Sequence, residues 1–305
     1  MNAAICLLLY GMALVWVSPA LLTRFTRDGL SPRLSVTVWL TTIAFAIGVW
    51  VIAAGGMLRE LLGGHPAAPV RYCVDMLLAV HHFGWVGDVV LGVASAAVLV
   101  CSLIVGRRLV NALRRFWSRS REHADAAHIL GARTKRPGVV LVTADKAAAY
   151  CVAGRPNAIV VTTGATALLS EPELAAVLAH EQAHLAGRHP QLMMLLRALA
   201  SAMPRLPLFP AAVEGVGRLV EMCADDSAAR RHGPDALLCG LVALAGPPPA
   251  RGVALGASDT AVVARAARLA EPALWAARWR ERLVLTATLS GVVLAPAIIT
   301  LVCHT

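Results

Sequence analysis

Residues 170–190 read SEPELAAVLAHEQAHLAGRHP. Ser170 can cap a helix, and Glu173, three residues on, completes a capping box. Pro172 is tolerated in a first turn. The apolar-periodic run that follows predicts a helix ending near Gly187, with Pro190 just beyond. Inside it lies His180-Glu181-Gln182-Ala183-His184, an H-E-x-x-H motif. At about 100° per residue the two histidines sit about 40° apart, one turn from each other. Both imidazoles can then reach one metal ion. Glu181 falls at the edge of the same face, where its carboxylate can contact a water rather than the metal.

Two histidines on one helix turn suit zinc, which then needs a third protein ligand and an open position. Zinc acidifies water and polarises a carbonyl. In that setting Glu181 acts as general base and acid, taking a proton from the water and passing it to the leaving amine. Glu221 and Asp225 follow 37 and 41 residues after His184 and stand at i and i+4 on a second helix. Glu221 is the expected third ligand. Asp225 is expected to accept a hydrogen bond from a ligand imidazole and fix its tautomer. Without the upstream motif the pair would read, with Asp226, as a solvated acidic face.

The surroundings of these helices are unusually apolar. Of 305 residues, 58% are hydrophobic and only 15% charged, against roughly 25% charged in ordinary soluble domains. Disorder is excluded by this composition. Residues 3–22, 34–58, 84–106 and 283–303 are long, nearly uncharged runs, each sufficient to cross a bilayer. Arg24 and Arg27 follow the first run and no basic residue precedes it, which argues against a cleaved leader. Pro19 and Pro296 are tolerable in membrane helices.

The net charge is +10, with Lys135 and Lys146 the only lysines among 28 basic residues. The arginines cluster at 24–33, 107–121 and 278–282. The positive-inside rule then places both termini outside and residues 107–282 in the cytoplasm. Because the arginines flank spans instead of interleaving with aromatics, direct nucleic-acid binding is not expected. The seven cysteines form no C-x-x-C pair, so neither a disulfide framework nor a cysteine zinc knuckle is expected.

The expected fold is a mainly α membrane protein of a bacterial cell membrane. It has four transmembrane helices plus an α+β cytoplasmic zinc metallopeptidase domain, with a small sheet and the H-E-x-x-H helix. Residues 1–106 hold three spans, 107–282 the domain, and 283–305 the fourth span. Residues 111–136 predict a helix leaving the membrane. PGVVLVT (137–143), 147–152 and 158–162 read as strands, with Gly154-Arg155-Pro156-Asn157 as a turn. The edge of 158–162 could accept an extended substrate by β-addition. Residues 192–208 read as an interrupted apolar helix packing on the core or the membrane face.

These pieces resemble the BlaR/MecR family of membrane zinc metallopeptidases, gluzincin-like antirepressor proteases. The resemblance rests on AAAYCVAGRPNAIVVTTG (147–164), LSEPELAAVLAHEQAHLAGRHP (169–190), LPLFPAAVEGVGRLVE (206–221) and EMCADDSAA (221–229). It implies one Zn2+ per chain. It also implies a cytoplasmic protein substrate, often a winged-helix transcriptional repressor of the BlaI type, cut when a signal arrives. Membrane lipid is a further partner, and a homodimer is left open. Sensor members carry an extracellular penicillin-binding domain after the fourth span. The expectation here is a chain lacking that domain, with signals entering through the spans, the 59–83 loop or a partner. HtpX/CaaX-type proteases share H-E-x-x-H and E-x-x-x-D and are the alternative, acting in quality control or processing. A non-catalytic signalling protein with a structural metal site is a third reading, disfavoured by the intact Glu181.

Four other features invite roles. His189 reads as a surface cap contact, or as a border of the cleft. His232 is a candidate oxyanion stabiliser. His81 and His82 read as an interfacial pair. Residues 246–256, with three prolines, read as a loop.

Overall fold

Pro19 divides the first apolar run. The backbone forms α1 (Ala3–Trp16) and α2 (Ser18–Phe25), with a turn at Val17. Proline has no N–H to continue the helical ladder. The straight span expected over 3–22 is therefore two pieces. α1 alone, at about 21 Å, is shorter than a hydrocarbon layer of about 30 Å. In the computed structural model, which describes residues 3–61, 85–246, 257–271 and 273–304, three helices are long and apolar enough to cross a membrane. They are α3 (Pro32–Leu61), α4 (Trp85–Leu130) and α11 (Trp275–His304). Residues 62–84, with His81 and His82, and 247–256 lie outside the described residues.

α4 runs unbroken through residue 106, so one helix of about 69 Å serves both the apolar part and the domain beyond it. It stops at Leu130, short of the expected 136. A Cβ on the next residue, Gly131, would lie 1.9 Å from Val140 Cγ1 and 2.7 Å from the Ala127 carbonyl oxygen. Only glycine allows that approach, and the chain turns into β1 (Ala132–Arg133), a strand the periodicity does not announce.

The sheet adds β2 (Val139–Val142), β3 (Ala149–Val152) and β4 (Ala158–Thr162), in the order β1-β2-β4-β3. β4 is parallel to β2 and antiparallel to β3. All five β4 residues are buried, as an uninterrupted apolar run predicts. β4 therefore has no free edge, and β-addition to it is excluded. The edge strand on that side is β3. A proline at Val160 or Val161 would break a central strand rather than probe an edge.

Short α5 (Thr163–Leu168) leads to α6 (Glu171–Ala186), the H-E-x-x-H helix. At its start Glu173 accepts from the Ser170 backbone N–H at 2.8 Å and from its hydroxyl at 2.7 Å. Then follow α7 (His189–Ala202), α8 (Leu208–His232), α9 (Pro234–Ala245) and α10 (Ala257–Ala270).

The main core joins the apolar helices to the domain. Leu14, Leu22, Trp39 and Ile43 pack in one cluster with Leu196, Phe209, Val216, Leu219 and Leu285. Trp39 is fully buried, and its indole N–H donates to Thr26 Oγ1 at 3.3 Å. Its ring leaves Gly215 of α8 no slack, since a Cβ there would lie 3.0 Å from the indole. Elsewhere apolar side chains point outward. Val93, Val100 and Leu103 on α4, and Leu283, Leu294, Ile298 and Leu301 on α11, are exposed, a surface suited to lipid. Glu281 of α11 accepts from the backbone N–H groups of Leu30 and Ser31 at 3.1 and 2.9 Å. That contact gathers the first arginine loop and the head of α11 on one side of the protein.

Two outcomes follow from these contacts. Trp39→Ala should destabilise the protein by about 3 kcal/mol, read as a lower Tm in detergent; an unchanged Tm would contradict the shared core. Hydrogen bonds from Ser170 hold the Glu173 carboxyl below its ordinary 4.5. Its capping contribution is therefore complete above that value and is lost as pH falls through the lowered one. In Ser170→Ala, carboxyl-carbon NMR should show Glu173 titrating closer to 4.5; an unmoved midpoint would remove the cap's role.

Candidate metal centre

α6 and α8 approach closely because small residues line their contact: Ala176 and Ala179 meet Ala228, with Leu237 of α9 closing the cluster. That approach sets His180 and His184 against Glu221 and Asp225. The two Nε2 atoms are 3.0 Å apart. His180 Nε2 lies 3.5 Å from Glu221 Oε2, and His184 Nε2 lies 3.5 Å from Glu221 Oε1. A tetrahedron with metal bonds of about 2.0–2.1 Å has edges of about 3.3 Å, so these separations fit a zinc-sized ion. The three residues form the group, among the described residues, that could hold a metal.

The far nitrogens of both rings lie beside polar groups, which leaves the Nε2 atoms facing each other. His180 Nδ1 lies 3.1 Å from Asp225 Oδ1, and His184 Nδ1 lies 3.0 Å from His189 Nδ1. Two converging lone pairs repel unless a cation or a proton sits between them. Without a metal, burial opposes charge on His180, but the Asp225 and Glu221 carboxylates outweigh it and push the imidazole up to about 9. Burial likewise disfavours the Glu221 anion, yet both imidazoles hold its carboxyl well below the usual range. A cation between these groups would do the same work as that proton.

Asp225 is fully buried. Such a charge survives only when paired, and its second partner is Arg265 of α10. Arg265 Nε donates to Oδ2 at 2.8 Å and Nη2 to Oδ1 at 2.6 Å, while Nη1 lies 3.1 Å from Glu221 Oε2. The bidentate fork fixes the carboxylate plane. Against the cost of burial, Arg265 and His180 hold the Asp225 carboxyl below its ordinary value. Next door, Arg268 pairs with Asp226, so two arginines on one turn of α10 clamp α8.

Sequence reading did not find Arg265. The available signal was a pair of arginines at i and i+3 that matches Asp225-Asp226, a weak mark in so arginine-rich a chain. Cys151 was also missed. Burial, with the Glu181 charge beside it, pushes its thiol up to about 12, so it stays neutral. Burial raises the Glu181 carboxyl as well.

His189 is not a surface cap. The turn between α6 and α7 folds it back, with Arg188 in the left-handed region at φ 53°. Its ring lies so close to Gly187 that a Cβ there would come within 2.4 Å. As an acceptor at His184 Nδ1 it selects the tautomer whose Nε2 faces the cluster. His232 sits exposed at the end of α8, about 16 Å along the helix from Glu221, and does not join the site.

Residues 114–219 match the model of Peptidase family M48, about a third of the chain. The matched stretch runs from the lower part of α4 through the sheet and α6 into α8, and ends two residues before Glu221. Peptidases of this family are zinc-dependent, so the match indicates a metallopeptidase, and the apolar helices indicate membrane association. Comparisons with curated proteins and with solved structures return no match.

Asp225→Asn should weaken zinc binding about 10–100-fold, measured by chelator competition. Unchanged affinity would show that the carboxylate does not orient His180.

Proposed function

We propose that this protein is an integral-membrane zinc metalloendopeptidase. The observation that carries the proposal is the convergence of three donors, each at tetrahedral-edge distance, beside a half-buried glutamate with no ligand duty. His180, His184 and Glu221 would hold one zinc ion. When bound, zinc supplies Lewis acidity and lowers the pKa of water. Glu181 takes a proton from water and delivers it to the leaving amine. Partial burial raises the proton affinity of that carboxylate, which suits it to accept. Asp225 and His189 orient the two imidazoles, and Arg265 holds Asp225 and Glu221 in register. The free edge of β3, with Cys151 near Glu181, is where an extended peptide would lie.

The arginine clusters support a topology with both termini outside and the peptidase domain in the cytoplasm, with the kinked α1–α2 pair acting as the first of four spans. In that reading the substrate is a cytoplasmic protein. A winged-helix repressor of the BlaI type, cut in signal-dependent regulation, follows from the BlaR/MecR resemblance. The family M48 match favours a second reading equally: an HtpX-type membrane protease acting in quality control or processing. Presenting a purified BlaI-type repressor and an unfolded membrane protein to the same preparation separates the two.

In zinc-loaded protein, Glu181→Gln should keep its metal and lose about 10²–10⁴-fold in kcat. Undiminished cleavage in that variant would sink the mechanism.

A further inference from the structure

A cavity of about 450 Å³ opens directly from the centre. His184, His189 and Glu221 form one wall. The opposite walls come from α4, from the β3–β4 turn and from α7. Three guanidiniums line it, Arg121, Arg155 and Arg197, each from a different one of those walls. Among the described residues none of the three has a carboxylate partner, and Arg121 instead rests 5.3 Å from the centre of the Trp117 ring. Among the described residues, the only carboxylate lining the cavity is Glu221. That charge is already matched by the two imidazoles and Arg265, and a bound dication would make the cavity more positive still.

β3 runs into this space. Its last residue, Val152, is followed by Ala153, Gly154 and Arg155, all lining the cavity. A peptide laid along the β3 edge past Glu181 would therefore send the residues on one side of its cleaved bond among the three arginines. The Met193 and Met194 side chains beside them add an apolar, adaptable floor.

We propose that this cavity is a specificity pocket selecting substrate segments with an acidic side chain close to the cleaved bond. The proposal rests on the peptidase reading above and names its substrate class. Guanidiniums recognise carboxylates by paired, planar hydrogen bonds, and a lysine entering the same space meets three like charges.

The test uses the full chain, zinc-loaded, in phosphatidylcholine nanodiscs. A quenched peptide that wild type cleaves is varied at each of the four residues flanking the bond, to Glu, Gln or Lys. On one side of the bond, kcat/KM should favour Glu over Lys by about tenfold or more. Arg155→Glu and Arg197→Glu should erase or invert that ratio, which is internal to each variant and independent of how much protein is folded. A ratio within twofold at every position, or a Glu preference that both variants leave unchanged, overturns the proposal while leaving the peptidase reading intact. If the variants instead lose binding to phosphatidylglycerol vesicles with the peptide ratio unaltered, the arginines hold lipid headgroups and the proposal is wrong. Cleavage of no peptide by zinc-loaded wild type would remove the peptidase reading and this inference together.

Discussion

A buried, fully paired aspartate organises the centre of this protein. Asp225 has no contact with solvent, so its charge must be answered inside the fold. It is answered from two directions, by the His180 ring on α6 and by the Arg265 fork on α10. Those two contacts decide how α6, α8 and α10 sit relative to one another. They also decide that Glu221, one turn before Asp225, faces the two Nε2 atoms. Removing either partner would leave an unmatched buried charge, which is why the arrangement has little freedom to relax.

The same helix α8 carries the constraint outward. Its first half packs on Trp39 of α3 and on Leu14 and Leu22 of the N-terminal pair, and Arg218 donates to the Thr26 carbonyl at 2.9 Å. The centre therefore does not hang from the apolar helices by a linker. It shares a core with them, and α4 passes continuously from one region to the other. Displacement of α3 has a direct mechanical route to the helix bearing Glu221, through Trp39 and Gly215.

Much of this was legible in the chain. The α6 cap, the H-E-x-x-H face and the Glu221–Asp225 pair depend on spacing along single helices, and spacing is what sequence displays. Three strands were legible because short apolar runs lie between turn residues. What escaped depended on contacts distant in sequence. Arg265 lies 40 residues beyond Asp225, and nothing local separates it from arginines that face solvent. His189 looked like a surface residue because its inward turn requires a left-handed Arg188, a conformation no local pattern foretells. The edge role passed from β4 to β3 because pairing order is a tertiary property. The break at Val17 follows from Pro19, whose tolerance in membrane helices masked its effect here.

In the proposed centre, two imidazoles and one carboxylate of this chain hold a zinc ion. X-ray absorption at the zinc edge of the purified full chain tests it most directly. The spectrum should show one zinc per chain with two nitrogen and two oxygen neighbours at about 2.0–2.2 Å, and Glu221→Ala should lose the oxygen that the protein supplies. Sulfur neighbours at about 2.3 Å, or protein that takes up no zinc, would contradict it.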